Sequence, residues 1–207
     1  MNDKMACQRG MLLVCILLTG CITDGPFRSI LPETVELRAG DVVFRRGGGL
    51  TSRAVLMADA QGQYSHIGIV VDSAGHKMIV HAVPGEPDFE GDEDRVKMDT
   101  PEQFFSSQYT IIGEVCRPHD SMVAFRAAEV AKQQYYKRVL FDHDYDDTDS
   151  SRMYCTELVS YAFLQAGLEI VGSERHHVDL PIIKADCIFP SDVHSSKYLK
   201  SIIMFHK

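Results

Sequence analysis

Hydrophobic and polar positions follow two different periods along this chain, and each period predicts a different kind of element. Short runs rich in β-branched residues and bounded by turn residues predict β-strands. The predicted strands are 41–44, 66–71, 78–83, 109–115 and 198–205. Apolar residues at helical spacing predict α-helices. The predicted helices are 50–60, 101–105, 121–137 and 155–166. This mixed order favours an α+β domain with one antiparallel sheet, because a doubly wound fold alternates its strands and helices regularly.

Turn and cap residues add detail to this pattern. The Gly and Asp residues of 72–77 suit a hairpin connection between two strands. Thr51 or Ser52 is the predicted cap of the first helix, and Thr100 is the predicted cap of the second. The segment 84–99 is polar, acidic and contains glycine, so it predicts a loop.

The first residues predict an export signal and a lipid anchor. Residues 1–20 combine a weakly cationic start with a short apolar run, which is typical of a secretory signal peptide. The run is too short for a permanent transmembrane helix, which needs about 20 apolar residues. Leu18-Thr19-Gly20-Cys21 resembles the bacterial lipobox, in which the cysteine is acylated and becomes the new N-terminus. The alternative is that Cys21 is an apolar residue near an ordinary cleavage site, but no small-x-small site stands nearby.

This interpretation divides the chain and predicts its location. The predicted parts are a lipoprotein signal peptide at 1–20, a tether at 21–35 and a catalytic domain at 36–207. Several acyl chains on Cys21 would anchor the protein stably to a membrane, where a single chain would be marginal. Ile22 stands where aspartate would signal retention, so resemblance to Gram-negative lipoproteins implies the outer membrane. The predicted location is the bacterial cell envelope, at the periplasmic face of the outer membrane.

Length and charge narrow the class of protein. The chain has 207 residues and 45% hydrophobic content, which suffices for one domain with a core and not for two large ones. Its formal net charge is −8, and no dense basic run occurs. Because phosphate binding needs clustered Lys and Arg, this composition argues against a nucleic-acid partner.

Few cysteines would remain as thiols in the mature chain. Cys7 and Cys15 would leave with the signal peptide and Cys21 would be modified, so Cys116, Cys155 and Cys187 remain. A Cys116–Cys187 bridge with Cys155 free is possible in an oxidising compartment. The interpretation we prefer is that Cys116 and Cys187 are buried small hydrophobic residues.

One of these thiols lies where a nucleophile would be expected. Cys155 falls at the predicted first turn of a helix, where unpaired N–H groups and the helix dipole favour a thiolate and so lower the pKa of the thiol. His66 is the candidate base, and strand alternation puts it on one face with Gly68. His81 lies on the next predicted strand and is the candidate for orienting the base. For each histidine the alternative is an ordinary strand residue, packed or exposed, without a catalytic role.

Four motifs in order carry a resemblance to a known family. They are Gly40-Asp41-Val42-Val43-Phe44, Ser65-His66-Ile67-Gly68-Ile69, Tyr154-Cys155-Thr156-Glu157-Leu158-Val159 and Pro190-Ser191-Asp192. From about Glu36 onward the sequence resembles the permuted papain-like amidases of the NlpC superfamily, the YiiX and YaeF type. The resemblance implies a circularly permuted papain-like fold, with Cys155 as nucleophile and His66 as base. His81 stands at the third position, where glutamate is common in this subgroup.

The resemblance also implies an activity. The expected reaction is hydrolysis of an amide bond through a thioester on Cys155, with the backbone N–H of Cys155 as one oxyanion donor. It needs no cofactor and no metal ion. The expected substrate is a peptide or amide of the cell envelope, and Tyr145 and Tyr154 are candidate substrate-binding residues that line the cleft. The alternatives are a lipid acyltransferase or lipid-amide hydrolase, and a ligand-binding module without turnover.

Two other patterns suggest metal binding only weakly. Carboxylates alternate between Asp142 and Asp149, but the sixth and twelfth positions of this stretch are Asp147 and Met153, so it does not match a calcium loop. A solvated acidic loop near the active site, with a preference for cationic substrate groups, is the favoured interpretation. The adjacent histidines of 176–177 lack further ligands at suitable spacing.

Overall fold

The computed structural model describes residues 28–180 and 183–207. The predicted signal peptide 1–20, the predicted lipidation site Cys21 and residues 22–27 of the predicted tether lie outside the described residues. Among the helices of the described part, none is both long enough and apolar enough to cross a membrane.

The described residues form ten strands and five helices. The strands are β1 (Val42–Arg46), β2 (His66–Ser73), β3 (His76–Val83), β4 (Arg95–Asp99), β5 (Ile112–Pro118), β6 (Leu140–Phe141), β7 (Arg152–Met153), β8 (His176–Leu180), β9 (Ile183–Cys187) and β10 (Leu199–His206). The helices are α1 (Leu50–Ala58), α2 (Pro101–Phe104), α3 (Ser121–Tyr136), α4 (Cys155–Gln165) and α5 (Pro190–His194). The predicted α+β class is confirmed.

Eight strands form one sheet in the order β10-β5-β1-β2-β3-β4-β6-β7, and β8 and β9 form a separate antiparallel hairpin. Within the large sheet every neighbouring pair is antiparallel except the short pair β6 and β7. His66 of β2 lies opposite Arg45 of β1, and His81 of β3 lies opposite Lys97 of β4. The start of β2 therefore lies beside the ends of β1 and β3.

The two faces of the sheet are covered differently. Successive side chains of a strand point to opposite faces. Ile67 and Ile69 belong to the main core, which α3 and α4 complete. Val70 and Ile79 belong to a smaller core on the other face, closed by Phe104 of α2 and the residue after it. Because His66 and His81 alternate with the residues of the main core, they lie on the second face.

The sequence prediction missed five strands. β4 lies inside the predicted loop 84–99, and neither the short strands β6 and β7 nor the hairpin of β8 and β9 was predicted. In β4 the charged residues Arg95, Lys97 and Asp99 alternate with Val96 and are at least 93% buried. They pair with charged partners in the fold, whereas by composition alone they indicate an exposed loop.

The start of α1 also differs from the prediction. Its N-cap is Gly49, which provides no side-chain hydrogen bond, and both predicted cap residues lie inside the helix. Ser52 instead accepts a hydrogen bond from the backbone N–H of Gly47 at 3.0 Å. In α2, by contrast, the predicted cap Thr100 forms a complete capping box with Gln103.

Part of the predicted tether packs on the domain. The N–H of Ile30 donates to the carbonyl of Phe105 at 3.0 Å, and the N–H of Ser107 donates to the carbonyl of Arg28 at 2.8 Å. Ile30 and Val35 contact the smaller core. Among the described residues, contacts with the domain therefore extend at least eight residues before the predicted boundary at 36.

Candidate active site

A cavity of about 280 Å³ opens at the end of the sheet where β1 and β3 end and β2 begins. His66 and Cys155 both line it, so the predicted base and the predicted nucleophile share one cavity. Other lining residues include Arg45, Leu50, Ser52, Glu86, Tyr109 and Tyr145. No hydrogen bond links the Cys155 thiol to the His66 ring among the described residues, and such contacts often tighten only when substrate is bound.

Cys155 is the first residue of α4, after the N-cap Tyr154. The capping box is closed by Glu157, whose carboxyl accepts a hydrogen bond from the N–H of Tyr154 at 3.3 Å. Helix capping thus fixes the backbone on both sides of the thiol. Cys155 is half-buried, and its position at a helix start agrees with the sequence pattern.

The structure reverses the expected direction of the thiol pKa. Burial raises the pKa of Cys155, and the nearby backbone N–H groups of Ile67 and Thr156 and the charge of Arg45 offset this effect only partly. The expected lowering relies on the helix terminus alone. Because desolvation of the thiolate outweighs the helix terminus, the resting residue is a neutral thiol.

The carboxyl next to this thiol is also neutral. Glu157 is 95% buried, and burial raises its pKa to about 9, with a further contribution from the charges of Asp142 and Asp147. An ionised carboxylate so close would oppose a thiolate on Cys155. The protonated form of Glu157 caps the helix without adding that charge at neutral pH.

Three buried side chains form a hydrogen-bonded row behind the cavity. Nε2 of His66 lies 2.9 Å from Nδ1 of His81, and Nε2 of His81 lies 3.1 Å from Oδ2 of Asp99. His66 is 8% exposed, His81 is fully buried and Asp99 is 6% exposed. The residues come from β2, β3 and β4, so the register of the antiparallel sheet brings them together.

The charge states in this row are set by burial and by neighbouring charges. Burial lowers the pKa of His66 well below its ordinary value, and the charges of Arg45, His81 and Lys97 lower it further. Burial alone would raise the pKa of Asp99, but His81 and Lys97 bring it down to about 2. His66 is therefore a neutral imidazole and Asp99 a carboxylate at neutral pH, which leaves His66 able to accept a proton.

Close packing holds the two rings in place. A Cβ added to Gly68 would lie 2.8 Å from Ile79 Cγ2 and 3.2 Å from His81 Cβ, so only glycine fits between β2 and β3 at this point. The ring of Phe104 lies 5.7 Å from that of His66 and 5.1 Å from that of His81 between centroids. The orientation of both imidazoles is thus set by contacts as well as by hydrogen bonds.

Arg45 is a functional candidate that sequence reasoning missed. It is 3% exposed, lines the cavity, donates to the carbonyl of Phe104 at 2.9 Å and pairs with Glu86 at 2.5 Å. Its signal in the sequence was its place as the first of two arginines directly after the apolar run 42–44. Asp99 was missed because β4 was predicted as a loop.

The two predicted substrate-binding tyrosines occupy different settings. Tyr145 lies in the cavity wall with φ of +57°, and burial raises its pKa to about 12. Tyr154 also borders the cavity, but it is 2% exposed and its hydroxyl accepts a hydrogen bond from the N–H of Ile188 at 3.0 Å. The phenol of Tyr154 therefore joins α4 to the segment before α5, and Tyr145 is the better placed to contact a ligand.

The other residues noted in the sequence do not line this cavity. Cys116 and Cys187 are buried free thiols, so the possible bridge between them is not formed. His176 and His177 contact different aspartates, Asp192 and Asp186 respectively, each at 2.8 Å.

The carboxylates of the acidic loop are partly engaged within the protein. Asp142 accepts hydrogen bonds from the N–H groups of Asp144 and Asp146, and Asp147 forms an ion pair with Arg175 at 2.6 Å. Asp144, Asp146 and Asp149 are exposed.

A second cluster, of Glu114, Cys116 and His194, could hold a metal ion. Within the described residues this is the group whose ligand atoms lie close enough together, all within 4.8 Å of one another. Glu114 is 2% exposed and also accepts hydrogen bonds from the hydroxyls of Tyr64 and Ser201. Burial would raise the pKa of Glu114, but these donors and His194 lower it to about 2.

The comparisons with known proteins show the fold. No protein-family model matches the sequence, and no curated protein matches it. The large sheet, its helices and the cavity at the sheet end define an α+β module of a known architecture. A solved structure with this architecture is that of metalloprotein yiiX from Escherichia coli O157:H7, DUF1105. It matches with a TM-score of 0.63 and 17% identity over 80% of this chain and 96% of that chain. The chain therefore has a YiiX-like fold.

Proposed function

We propose that this protein is a cysteine hydrolase with a circularly permuted papain-like fold. Cys155 is the nucleophile, His66 the base and His81 the residue that orients the base. The observation that carries the proposal is that Cys155 at a helix start and His66 at a strand start line one cavity, with His81 hydrogen-bonded to His66. The family resemblance of the sequence motifs and the YiiX-like fold support the same assignment.

The proposed reaction begins from neutral groups. His66 takes the proton of the Cys155 thiol as the sulfur attacks the substrate carbonyl and a C–S bond forms. The backbone N–H of Cys155 stabilises the oxyanion. His66 then returns the proton to the leaving nitrogen as the C–N bond breaks, which leaves a thioester. Water, deprotonated by His66, hydrolyses the thioester and restores the thiol.

We further propose that the substrate is an amide bond in a cell-envelope peptide, reached from a lipid anchor at Cys21 on the periplasmic face of the outer membrane. The lipobox-like sequence supports the location. The cavity wall combines Arg45 with Tyr145 and Tyr109, so it offers a cation and phenol groups to a polar peptide.

Incubation of the full-length chain with purified muropeptides tests the activity. The expected result is release of new free amines by the wild type, no release by Cys155→Ala, and a thioester adduct of Cys155 detectable by mass spectrometry after acid quench. Tyr136→Phe, at an exposed residue of α3, serves as the control and retains activity. Amine release that persists in Cys155→Ala would contradict the proposal.

A second candidate substrate is an acyl lipid. Leu50 lines the cavity and is 83% exposed, and Val55 lies beside it, so part of the wall offers apolar surface to an acyl chain. A parallel incubation with lipid amides separates the two substrates. Products in only the lipid reaction would replace the peptide. Turnover of neither substrate, together with an alkylation rate of Cys155 that is unchanged in His66→Ala, would favour a ligand-binding module.

Metal binding is a second role that the cluster of Glu114, Cys116 and His194 favours, and the solved neighbour is itself described as a metalloprotein. Oε2 of Glu114 lies 3.0 Å from Nε2 of His194, and Oε1 of Glu114 lies 3.5 Å from Sγ of Cys116. Carboxylate, imidazole and thiolate are all ligands that zinc takes in proteins. Such an ion would link β5 to α5 as a structural tie.

The metal content of the purified chain tests this role. About one zinc ion per chain is expected in the wild type, with loss in His194→Ala and in Cys116→Ser, while the control His176→Ala retains it. Wild-type protein that is free of metal after purification without chelator would leave the cluster as a hydrogen-bonded network.

A further inference from the structure

The ring of His81 has a partner at each nitrogen. Nδ1 faces Nε2 of His66 at 2.9 Å, and Nε2 faces a carboxylate oxygen of Asp99 at 3.1 Å. The ring is fully buried, so water does not compete for either nitrogen. Asp99 has no role in the reaction proposed above, yet it is joined to the base through a single ring.

We propose that Asp99 is a positioning residue that, through His81, fixes the proton of His66 on Nε2 and leaves Nδ1 free to accept the thiol proton. The inference rests on the proposed function, because it concerns the base that activates Cys155. It adds a fourth residue to the site without placing that residue in contact with substrate.

The order of protons in the row follows from the donors available. A carboxylate can only accept, so the facing Nε2 of His81 carries the proton. The proposal requires a neutral His81, whose ring with its proton on Nε2 has an acceptor at Nδ1, because a doubly protonated ring would donate from both nitrogens and reverse the order. His66 must then donate from its own Nε2, which leaves its Nδ1 without a proton. The opposite order would put the proton of His66 on Nδ1 and remove its capacity to act as a base toward Cys155.

The charges around the row keep Asp99 an acceptor. Nζ of Lys97 lies 3.4 Å from Oδ1 of Asp99, so both carboxylate oxygens face a donor. Lys97 is itself held by Asp88 at 2.8 Å and by the carbonyl of Glu86 at 2.8 Å. From β1 the other charge that acts on His66 is Arg45, which pairs with Glu86.

The substitution Asp99→Asn tests the role, because an amide has one acceptor and one donor group. Because the charged Lys97 can only donate, it faces the amide oxygen of the new Asn side chain. The amide N–H₂ then faces Nε2 of His81 and reverses the proton order. We expect alkylation of Cys155 by iodoacetamide at neutral pH to slow by about 10²-fold. In the double variant Asp99→Asn/Lys97→Met the amide can turn its oxygen toward His81, and most of the rate should return.

Asp41→Asn is the matched control. Asp41 is also a buried carboxylate with a cationic partner, Arg117 at 2.8 Å, but it lies away from the cavity. This variant should alkylate at the wild-type rate. A rate in Asp99→Asn equal to that of the control would overturn the inference. If Asp99→Asn is slow and the double variant is equally slow, the carboxylate acts only through its charge or through packing, and the tautomer role is likewise overturned.

Ring ¹⁵N chemical shifts give a test that needs no variant. In the full-length wild-type chain we expect the protons of both His66 and His81 on Nε2, and a proton on Nδ1 of neutral His66 would overturn the inference even if Asp99→Asn fails to fold. The proposed function fails separately. It fails if His66→Ala leaves the alkylation rate unchanged, whereas a slow His66→Ala with a normal Asp99→Asn removes only the role of Asp99.

Discussion

Both faces of the large sheet bury side chains, but the second face adds a row of polar contacts to its smaller apolar core. One face packs Ile67 and Ile69 against α3 and α4, through contacts that have no preferred direction. The other face buries His66, His81 and Asp99 in a row of hydrogen bonds that each need a defined atom. We infer that the first face supplies most of the apolar packing and positions Cys155 at the start of α4, whereas the second face supplies the base and the groups that orient it.

The largest difference between an effect on turnover and an effect on stability is expected at Cys155, the thiol that His66 of the second face would activate. Cys155→Ala should reduce amide turnover on the order of 10⁴-fold or more, which corresponds to about 5 kcal/mol of transition-state stabilisation. Cys155 is only half-buried, so the melting temperature should change little. Turnover assays and thermal unfolding on the same samples check this. A large loss of stability with little loss of turnover would contradict the proposed difference between the two faces.

Truncation of a side chain on the first face should have the opposite effect, with a large loss of stability and little change in the reactivity of Cys155. Ile69→Ala removes a fully buried side chain and should lower the free energy of unfolding by about 3 kcal/mol. Cys155 in the molecules that remain folded should alkylate at the wild-type rate. Urea unfolding measures the first effect. Ile202→Ala, at a side chain that is 40% exposed, is the control and should cost less. Equal costs at the two positions would count against the importance of the apolar face.

Gly68→Ala should affect the stability of the fold and the position of the histidine rings at once. The new Cβ would meet Ile79 at 2.8 Å and His81 at 3.2 Å, so strands β2 and β3 must shift. We expect a loss of about 2 kcal/mol of stability from overpacking, together with slower alkylation of Cys155 because His81 moves. Gly172→Ala, where no atom lies within 4 Å of the added Cβ, is the control. A Gly68→Ala protein that behaves like this control would show that the rings are not held by packing.

The smallest expected effect is a pH dependence carried by His66. Burial lowers the pKa of folded His66 well below its ordinary value. Below about pH 6.5 the unfolded chain therefore binds a proton at His66 that the folded chain does not, and the contribution of His66 to stability falls as the pH falls, by at most about 1.4 kcal/mol per pH unit. Asp99, whose pKa is about 2 despite its burial because of His81 and Lys97, begins to contribute only below about pH 4.

Urea unfolding between pH 6.5 and about pH 4.5 measures this contribution together with that of Glu157, which has the opposite sign because folded Glu157 keeps a proton that the unfolded chain loses. His66→Gln should remove the histidine contribution, so that stability falls less steeply, or rises, as the pH falls, whereas the exposed His206→Gln should leave the slope unchanged. A slope that is the same in all three proteins would mean that His66 titrates normally in the folded state.

Sequence patterns were sufficient for β1, β2 and β3, whose buried faces are largely apolar. Alternation along β2 put His66 and Gly68 on the face opposite Ile67, as the structure does. The same reasoning failed at β4, since its buried face is charged, and a strand that alternates Arg, Lys and Asp looks like a loop by composition. Asp99 was not predicted as a site residue because it belongs to that strand. A pattern of period two predicts a strand whichever class of residue lies on the buried face.

Properties that depend on three-dimensional burial were beyond the sequence. The direction of the Cys155 pKa reversed because the sequence shows the helix start and not the loss of water around the thiol. The cluster of Glu114, Cys116 and His194 joins residues 80 positions apart, through a pairing of β5 with α5 that no local pattern indicates. Local motifs predict which residues carry chemistry, whereas their charge states come from the packing.

The packing of residues 28–35 on the domain limits how far the domain can lie from the proposed lipid anchor at Cys21. If the domain began at 36, fifteen residue steps would separate it from Cys21, and an extended chain of that length reaches roughly 50 Å. With Arg28 already in contact with Ser107, seven steps remain, which span at most about 25 Å. A tether of that length is shorter than the width of the domain. The cavity would then reach only a thin layer next to the membrane, and substrates would have to come within that layer to be cleaved.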